Sequence, residues 1–408
     1  MYDKNKMRAV GKKNKKNNNT DKNTFLLKDN QKEIIKKLNK YSRGIIDSTV
    51  RSGKTLSILW FLNHIKNNNS YPNLKVLWIA YDSDEKDRHL PEEIKKWSYE
   101  ESLLNNIDIT LPDSLHKYSG KSYDVVIYNE CQTITELVYN KLSDINYKRL
   151  YFITGTVPRK KEKVDIYKLL DLKVIYKYDM DKAVSDKILS NYRISVIKVP
   201  LDKEKNIEVK YTNIKGKKIT FMTSELSSYN SISNKISNCF DARKKKNLAI
   251  LRMRSLNNFD SKISIAKDLL LKKNRYLVFS QDTKNSLKIS PYCYNSKTTD
   301  KYKKLFDEEK IPHLVLLNKA STGTTYKNVN GCILLSVNSS NVILEQKIGR
   351  TLLFNTEEHV ADIIILISKD TIQEKWLEKS IINYDKTKIK YYDSYEDYKN
   401  KNNLIKDE

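Results

Sequence analysis

Apolar residues fall along this chain in short continuous runs, and between the runs they recur at helical spacing. Gly44-Ile45-Ile46-Asp47, Val76-Leu77-Trp78-Ile79-Ala80, Tyr123 to Tyr128 and Leu150 to Thr154 are too short for helices and read as buried strands. Gln31 to Leu38 carries Ile34, Ile35 and Leu38 at helical spacing, and Leu56 to Ile65 reads as a second helix. Strands without polar alternation are buried on both faces, so strands of this kind between helices predict a parallel sheet with helices on each side. The pattern begins again near Leu248, with strands expected at Tyr276 to Phe279, His313 to Leu317, Gly331 to Leu335 and Asp362 to Ile367.

The expected fold class is α/β, with two parallel-sheet domains in tandem. The expected divisions are a flexible basic arm at 1–24, a first domain at 25–200, a connecting segment at 201–247 and a second domain at 248–408. Residues 1–24 are almost all Lys, Asn and other polar types, which cannot build a core. In the connecting segment, Ile207 to Tyr211 and Lys218 to Met222 flank Lys215-Gly216 and suggest a hairpin; the rest has little clear periodicity.

Charge adds a partner to this picture. The 408 residues carry a formal net charge of +26, which favours a polyanion, nucleic acid first. Part of the excess follows from a sequence crowded with Lys, Asn, Ile and Tyr, as AT-rich coding produces. Cys131, Cys239, Cys293 and Cys332 form no CxxC pair, which argues against a zinc site or a disulfide framework and suits a reducing cytoplasm. No apolar run reaches the length of a membrane span, and the charged N-terminus lacks the apolar stretch of a secretory signal.

Two segments carry candidate chemistry. Ser48-Thr49-Val50-Arg51-Ser52-Gly53-Lys54-Thr55 follows a strand and precedes a helix, the context of a phosphate-binding loop. Backbone N–H groups at the loop and helix N-terminus would face the phosphates, with Lys54 bridging the β- and γ-phosphates and the Thr55 hydroxyl on Mg²⁺. Ser48 stands where such loops carry their first glycine. The second segment, Tyr123 to Gln132, is an apolar strand ending in Asn129-Glu130. A carboxylate there, Glu130, would orient and activate the attacking water. Asn129 stands where a metal-holding aspartate is usual, and is a weaker, neutral ligand.

With these residues in place, the chain resembles superfamily 2 helicases of the DEAD/DEAH-box type, in their phage and prokaryotic branch, from about Leu26 to Ile381. The resemblance implies two RecA-like domains with ATP and Mg²⁺ in the cleft between them. It makes Gln31 the glutamine that reads adenine, Ser48 to Thr55 motif I, Trp78 to Tyr81 with Lys86 to Trp97 the motif Ia region, Asn129 to Gln132 motif II and Thr154-Gly155-Thr156 motif III. Val278-Phe279-Ser280 is similar to motif IV, Ser321 to Tyr326 to motif V and Gln346-Lys347-Ile348-Gly349-Arg350 to motif VI. By this resemblance Lys54, Glu130, Gln346 and Arg350 are the catalytic set, with Arg350 an arginine finger from the second domain. Gln31, Ser52, Gly53, Lys54, Thr55, Gly323 and Arg350 would hold the nucleotide, and Thr55, Asn129 and Glu130 the metal. Tyr81, Lys86, Thr154, Thr156, Ser280 and Thr322 would meet nucleic acid, with DNA favoured over RNA. Lys347 and Leu353 stand where motif VI usually carries arginines.

The implied activity is an ATP-driven helicase or translocase of phage or viral origin, working as a monomer in the host cytoplasm, with a protein partner to target it. Asn129 and Leu353 leave open a helicase-fold factor with weak or lost hydrolysis. A packaging-type motor with a nuclease would need an acidic metal cluster after the motor, and the sequence offers none.

Overall fold

The computed structural model describes residues 27–402 apart from 69, 98–100, 159, 213–215, 217, 296–297, 299, 318–325, 354–355 and 357. The expected arm at 1–24 and the motif V residues Thr322 and Gly323 lie outside the described residues. The first sheet contains β1 (Arg43–Ser48), β2 (Val76–Ile79), β3 (Ile107–Thr110), β4 (Ser122–Tyr128), β5 (Asn146–Thr154) and β6 (Val174–Tyr178), in the order β3-β2-β4-β5-β1-β6. Every neighbouring pair in it is parallel. Side-chain alternation splits its core between two faces. Ile46, Trp78, Val125, Ile127 and Tyr151 pack on one side with the helices Asp29–Lys40 and Lys54–Asn67. Ile45, Leu77, Val126, Tyr128 and Phe152 pack on the other.

The second sheet is built the same way from β7 (Asn191–Val199), β10 (Tyr276–Ser280), β11 (Cys293–Tyr294), β12 (His313–Leu317), β13 (Gly331–Leu334), β14 (Val360–Ser368) and β15 (Ile389–Tyr392). Its order is β11-β12-β10-β13-β14-β7-β15, again parallel throughout. The fold is thus α/β, with two RecA-like parallel-sheet domains in tandem.

The strands expected from apolar runs are all present. Those not expected are mostly edge or end-of-sheet strands with mixed burial, such as β3, β6 and β15. Strand β7 differs in a way that matters for connectivity. It pairs with β14 along its whole length and with β15 on its other side, so Asn191–Val199 belongs to the second sheet although the sequence division kept it with the first. The chain therefore changes sheets between β6 and β7, ahead of residue 200. The expected hairpin is present as β8 (Ile207–Thr212) and β9 (Lys218–Thr223), antiparallel to each other. The stretch after it, where little periodicity was legible, holds the helix Glu225–Ser237 and the start of the helix Ala242–Asn258. These two pack on each other and bury few residues, so their surface pattern is weak.

Candidate nucleotide-binding site

The loops after β1, β2, β4 and β5 emerge at the carboxyl ends of the first sheet, where open α/β sheets bind ligands. The loop after β1 turns sharply. Gly53 is the N-cap of the helix Lys54–Asn67 with φ +81°, and Arg51 is also left-handed at φ +63°. Glycine is favoured at 53 because an L side chain avoids that φ; a Cβ there would also push on the Gln31 side-chain amide, 2.0 Å away at Nε2. Ser48 explains how the loop dispenses with its first glycine. It is fully buried at the end of β1, and its hydroxyl donates to Ser52 Oγ at 2.7 Å, which donates to Thr49 O at 2.8 Å. A further brace comes from Asn30, whose Nδ2 donates to Ser52 O at 2.7 Å.

Lys54 lies over this loop, its ammonium donating to Ser48 O at 2.6 Å and Thr49 O at 2.8 Å. Burial pushes its pKa down to about 8, against the pull of Glu130 and Asp47. Burial also raises Asp47 to about 6. Gln31 is buried with Oε1 accepting from Lys28 N at 2.9 Å, so the residue expected to read adenine also closes the first turn of its own helix.

Across from the loop, Glu130 follows β4 in a left-handed conformation at φ +49°. Its Oε2 accepts from Gln132 Nε2 at 2.5 Å and from Gln346 Nε2 of the second domain at 3.2 Å. Asn129 donates from Nδ2 to Glu85 Oε1 at 2.6 Å. Glu85 lies in a π-helical turn, Glu85–His89, and was not singled out in the sequence. It also accepts from Trp78 Nε1 at 3.2 Å and from the Tyr81 N–H at 2.6 Å. Desolvation raises its carboxyl to about 7.

The second domain reaches the cleft through the helix Asn341–Gly349 and the residue after it. Arg51 Nη2 donates to the Arg350 carbonyl at 3.1 Å, and the two guanidiniums lie close enough that Arg350 helps burial push Arg51 down to about 10. Arg51 Nη1 is buried and donates to no group among the described residues. Gly349 permits the approach, because a Cβ there would lie 1.9 Å from Val50 Cγ2. Thr156 Oγ1 donates to Glu345 Oε2, a bond between the motif III position and the same helix. One cavity of about 630 Å³ is lined by Gln31, Gly53, Lys54, Thr55, Tyr81, Glu85, Asn129, Glu130, Gln346 and Arg350, and extends to Trp97.

The remaining expected positions sort by burial. Tyr81 lines the cavity itself. Thr154 is fully buried, donating to Gln132 Oε1 at 2.7 Å, and Thr156 is nearly so, donating to Glu345 Oε2; neither is presented on an open surface. Ser280 is buried at the end of β10. Lys86 is half-buried beside Asp87, 3.5 Å away. Lys347 is buried against Ser336 Oγ at 2.8 Å and so cannot stand in for an arginine of the cleft. Leu353 pairs with Leu189 at the crossing between the sheets.

Mg²⁺ takes hard oxygen donors and is usually held by one or two carboxylates, a hydroxyl, waters and the substrate's own phosphates. Thr55, Asn129, Glu130 and Glu85 supply that donor class around one cavity. A larger cage is not needed, and none of three or more His, Cys, Asp or Glu occurs among the described residues.

Two RecA-like domains facing one another across such a cleft define a helicase-like fold. Among solved structures the chain is similar to the ATP-dependent Type ISP restriction-modification enzyme LlaBIII bound to DNA, at 12% identity and a TM-score of 0.59. The match covers 94% of this chain and 32% of that one, so the chain spans about a third of the neighbour's length. At that identity the likeness is one of fold. No protein-family profile matches the sequence, and no curated protein matches it.

Proposed function

We propose that this chain is an ATP-hydrolysing superfamily 2 translocase or helicase that acts on DNA. The observation that carries the reading is the meeting of Lys54 and Arg51 from the first domain with Arg350 from the second around Glu130. Adjacent buried cations repel each other and call for an anion between them, which a triphosphate supplies. Glu130 would orient the attacking water, Lys54 would hold the β- and γ-phosphates, and Arg350 would stabilise charge only when the domains are closed. Gln346 would couple the second domain to Glu130. Mg²⁺ would neutralise phosphate charge, held by Thr55, Asn129 and Glu130. Gly53, Ser52 and Gln31 would shape the pocket; Gly323, also expected to hold the nucleotide, lies outside the described residues.

DNA is favoured because the structural neighbour is a DNA-bound, ATP-dependent enzyme, and because the net charge is +26. Contact would run through phosphates, with little sequence preference. The resemblance of Arg51 to Thr55 to the phage branch places the activity, in this proposal, in a phage or virus, with the protein a monomer in the host cytoplasm recruited by a partner. Asn129 favours the second reading, a nucleic-acid-binding factor with weak hydrolysis.

The test is ATP hydrolysis by the full chain with single-stranded DNA, single-stranded RNA and a forked duplex, beside Lys54→Ala and Glu130→Gln. Stimulation by DNA that both substitutions abolish supports the motor. Nucleotide binding without turnover supports the second reading, and no nucleotide binding at all defeats both. Affinity for single strands should fall with salt at a slope of about −0.7 per neutralised phosphate on logarithmic axes; a flat response contradicts a phosphate-tracking mode.

A further inference from the structure

The neutral Asn129 poses a charge problem at the metal side of the cleft, and its neighbour answers it. We propose that Glu85 and Asn129 act as a pair in place of the usual single aspartate, with Glu85 supplying the negative charge and Asn129 presenting an oxygen toward Mg²⁺ and its waters. This rests on the nucleotide-binding reading above.

Three features support it. First, Asn129 Nδ2 donates to Glu85 Oε1 at 2.6 Å. An amide beside a carboxylate must turn its NH₂ toward it, which leaves Oδ1 as the atom free to accept. With a cation beside it the pair would carry the same unit negative charge as an aspartate, delivered through one hydrogen bond. Second, among the described residues every hydrogen-bond donor to the Glu85 carboxylate is neutral: the Asn129 amide, the Trp78 indole and the Tyr81 backbone. Among the described residues no lysine, arginine or histidine forms an ion pair with Glu85. A carboxylate set into a cleft without a cationic partner is costly unless a cation arrives with the ligand. Third, Glu85 lines the same cavity as Thr55, Asn129 and Glu130. Strand β2, which leads to Glu85, is hydrogen-bonded directly to β4, which ends at Tyr128, just before Asn129. The juxtaposition is thus fixed by the sheet.

A purely structural role is the competing account: Glu85 could serve only to hold the turn after β2. The two accounts differ in metal dependence. Binding of a fluorescent ATP analogue by the full chain is measured in EDTA and across a Mg²⁺ titration, and Mn²⁺ occupancy is read directly from its paramagnetic signal. Glu85→Gln should keep the EDTA affinity within about two-fold and weaken the Mg²⁺ midpoint about ten-fold or more, the range for an outer group that orients a metal ligand. The swapped pair, Glu85→Gln with Asn129→Asp, keeps one amide and one carboxylate in contact and should restore the midpoint to within about three-fold. An unchanged Mg²⁺ midpoint in Glu85→Gln, equal losses with and without metal, or failure of the swap to restore Mn²⁺ occupancy overturns the proposal. If Glu85→Gln does not fold, the swapped pair decides alone: wild-type metal dependence supports the pairing, and its loss overturns it. A wild-type chain that binds no nucleotide in either condition defeats the nucleotide reading instead.

Discussion

The two domains have the same construction and contribute to the cleft in opposite ways. The first offers loops held in unusual conformations. Arg51, Gly53 and Glu130 all have positive φ, and they are pinned by Ser48, Ser52, Asn30 and Gln132. Left-handed backbone at a non-glycine residue costs about 1–2 kcal/mol, so such positions persist only where surrounding structure imposes them. The second domain offers the end of one regular helix, whose Glu345, Gln346, Gly349 and Arg350 touch the first domain at Thr156, Glu130, Val50 and Arg51. Geometry is built into one side, and in the proposed motor the other side would approach and withdraw as a body. A site divided in this way ties chemistry to domain closure.

That contrast predicts different failures on the two sides. Arg350→Ala should lower ATP turnover by about 10³-fold or more, as loss of an arginine finger does, with nucleotide affinity changed only a few-fold. Lys54→Ala should remove binding itself. If Arg350→Ala abolishes binding and spares turnover at saturation, the division of labour is wrong. Gly349→Ala should come next, with about a 10²-fold loss, because a 1 Å misplacement in a closing site costs that much and the new methyl meets Val50. Adding Val50→Ala should recover most of it; equal rates for the single and double variants would refute a steric cause. Thr156→Val should cost about ten-fold in DNA-stimulated turnover and little in basal turnover, since it removes the Thr156–Glu345 bond and leaves the phosphate loop intact.

The smallest effect concerns stability within the second domain. Lys262 is fully buried, donates to Gln373 Oε1 at 2.6 Å, and is pushed by burial from 10.5 down to about 7. Between those values the unfolded chain binds the proton and the folded one does not, so this group makes stability rise with pH from about 7 to 10.5. Lys262→Met should therefore stabilise the protein on the order of 1–3 kcal/mol at neutral pH, with the gain vanishing near the unfolded lysine pKa. Gln373 Oε1 keeps the Ser368 N–H at 2.9 Å, so the substitution strands no acceptor. Chemical denaturation at two pH values reads this, and a destabilised variant at pH 7 would refute it.

Much of this arrangement was legible in the sequence because the central strands are apolar runs with one strong signal each. The loop from Ser48 to Thr55, the strand ending at Glu130 and the Gln346–Arg350 segment converge in space as expected. What was not legible depends on contacts between distant segments. Strand β7 was not among the strands expected from the sequence, and its pairing with β14 and β15 assigns it to the second sheet. Glu85 is an unremarkable acidic residue in a charged stretch until β2 and β4 bring it beside Asn129. Ser48 looked like a missing glycine, and its buried hydroxyl bond to Ser52 shows what replaced it. Thr154 and Thr156 matched a motif, but their burial could not be read from the match.

The central claim is that one nucleotide site is completed from both domains and turns over on nucleic acid. Steady-state ATP hydrolysis across a titration of single-stranded DNA, wild type beside Glu130→Gln, tests it most directly. The account predicts a rate that rises and saturates with DNA in the wild type and stays at background in Glu130→Gln. A wild-type rate indistinguishable from Glu130→Gln, or one indifferent to DNA at every concentration, would contradict it.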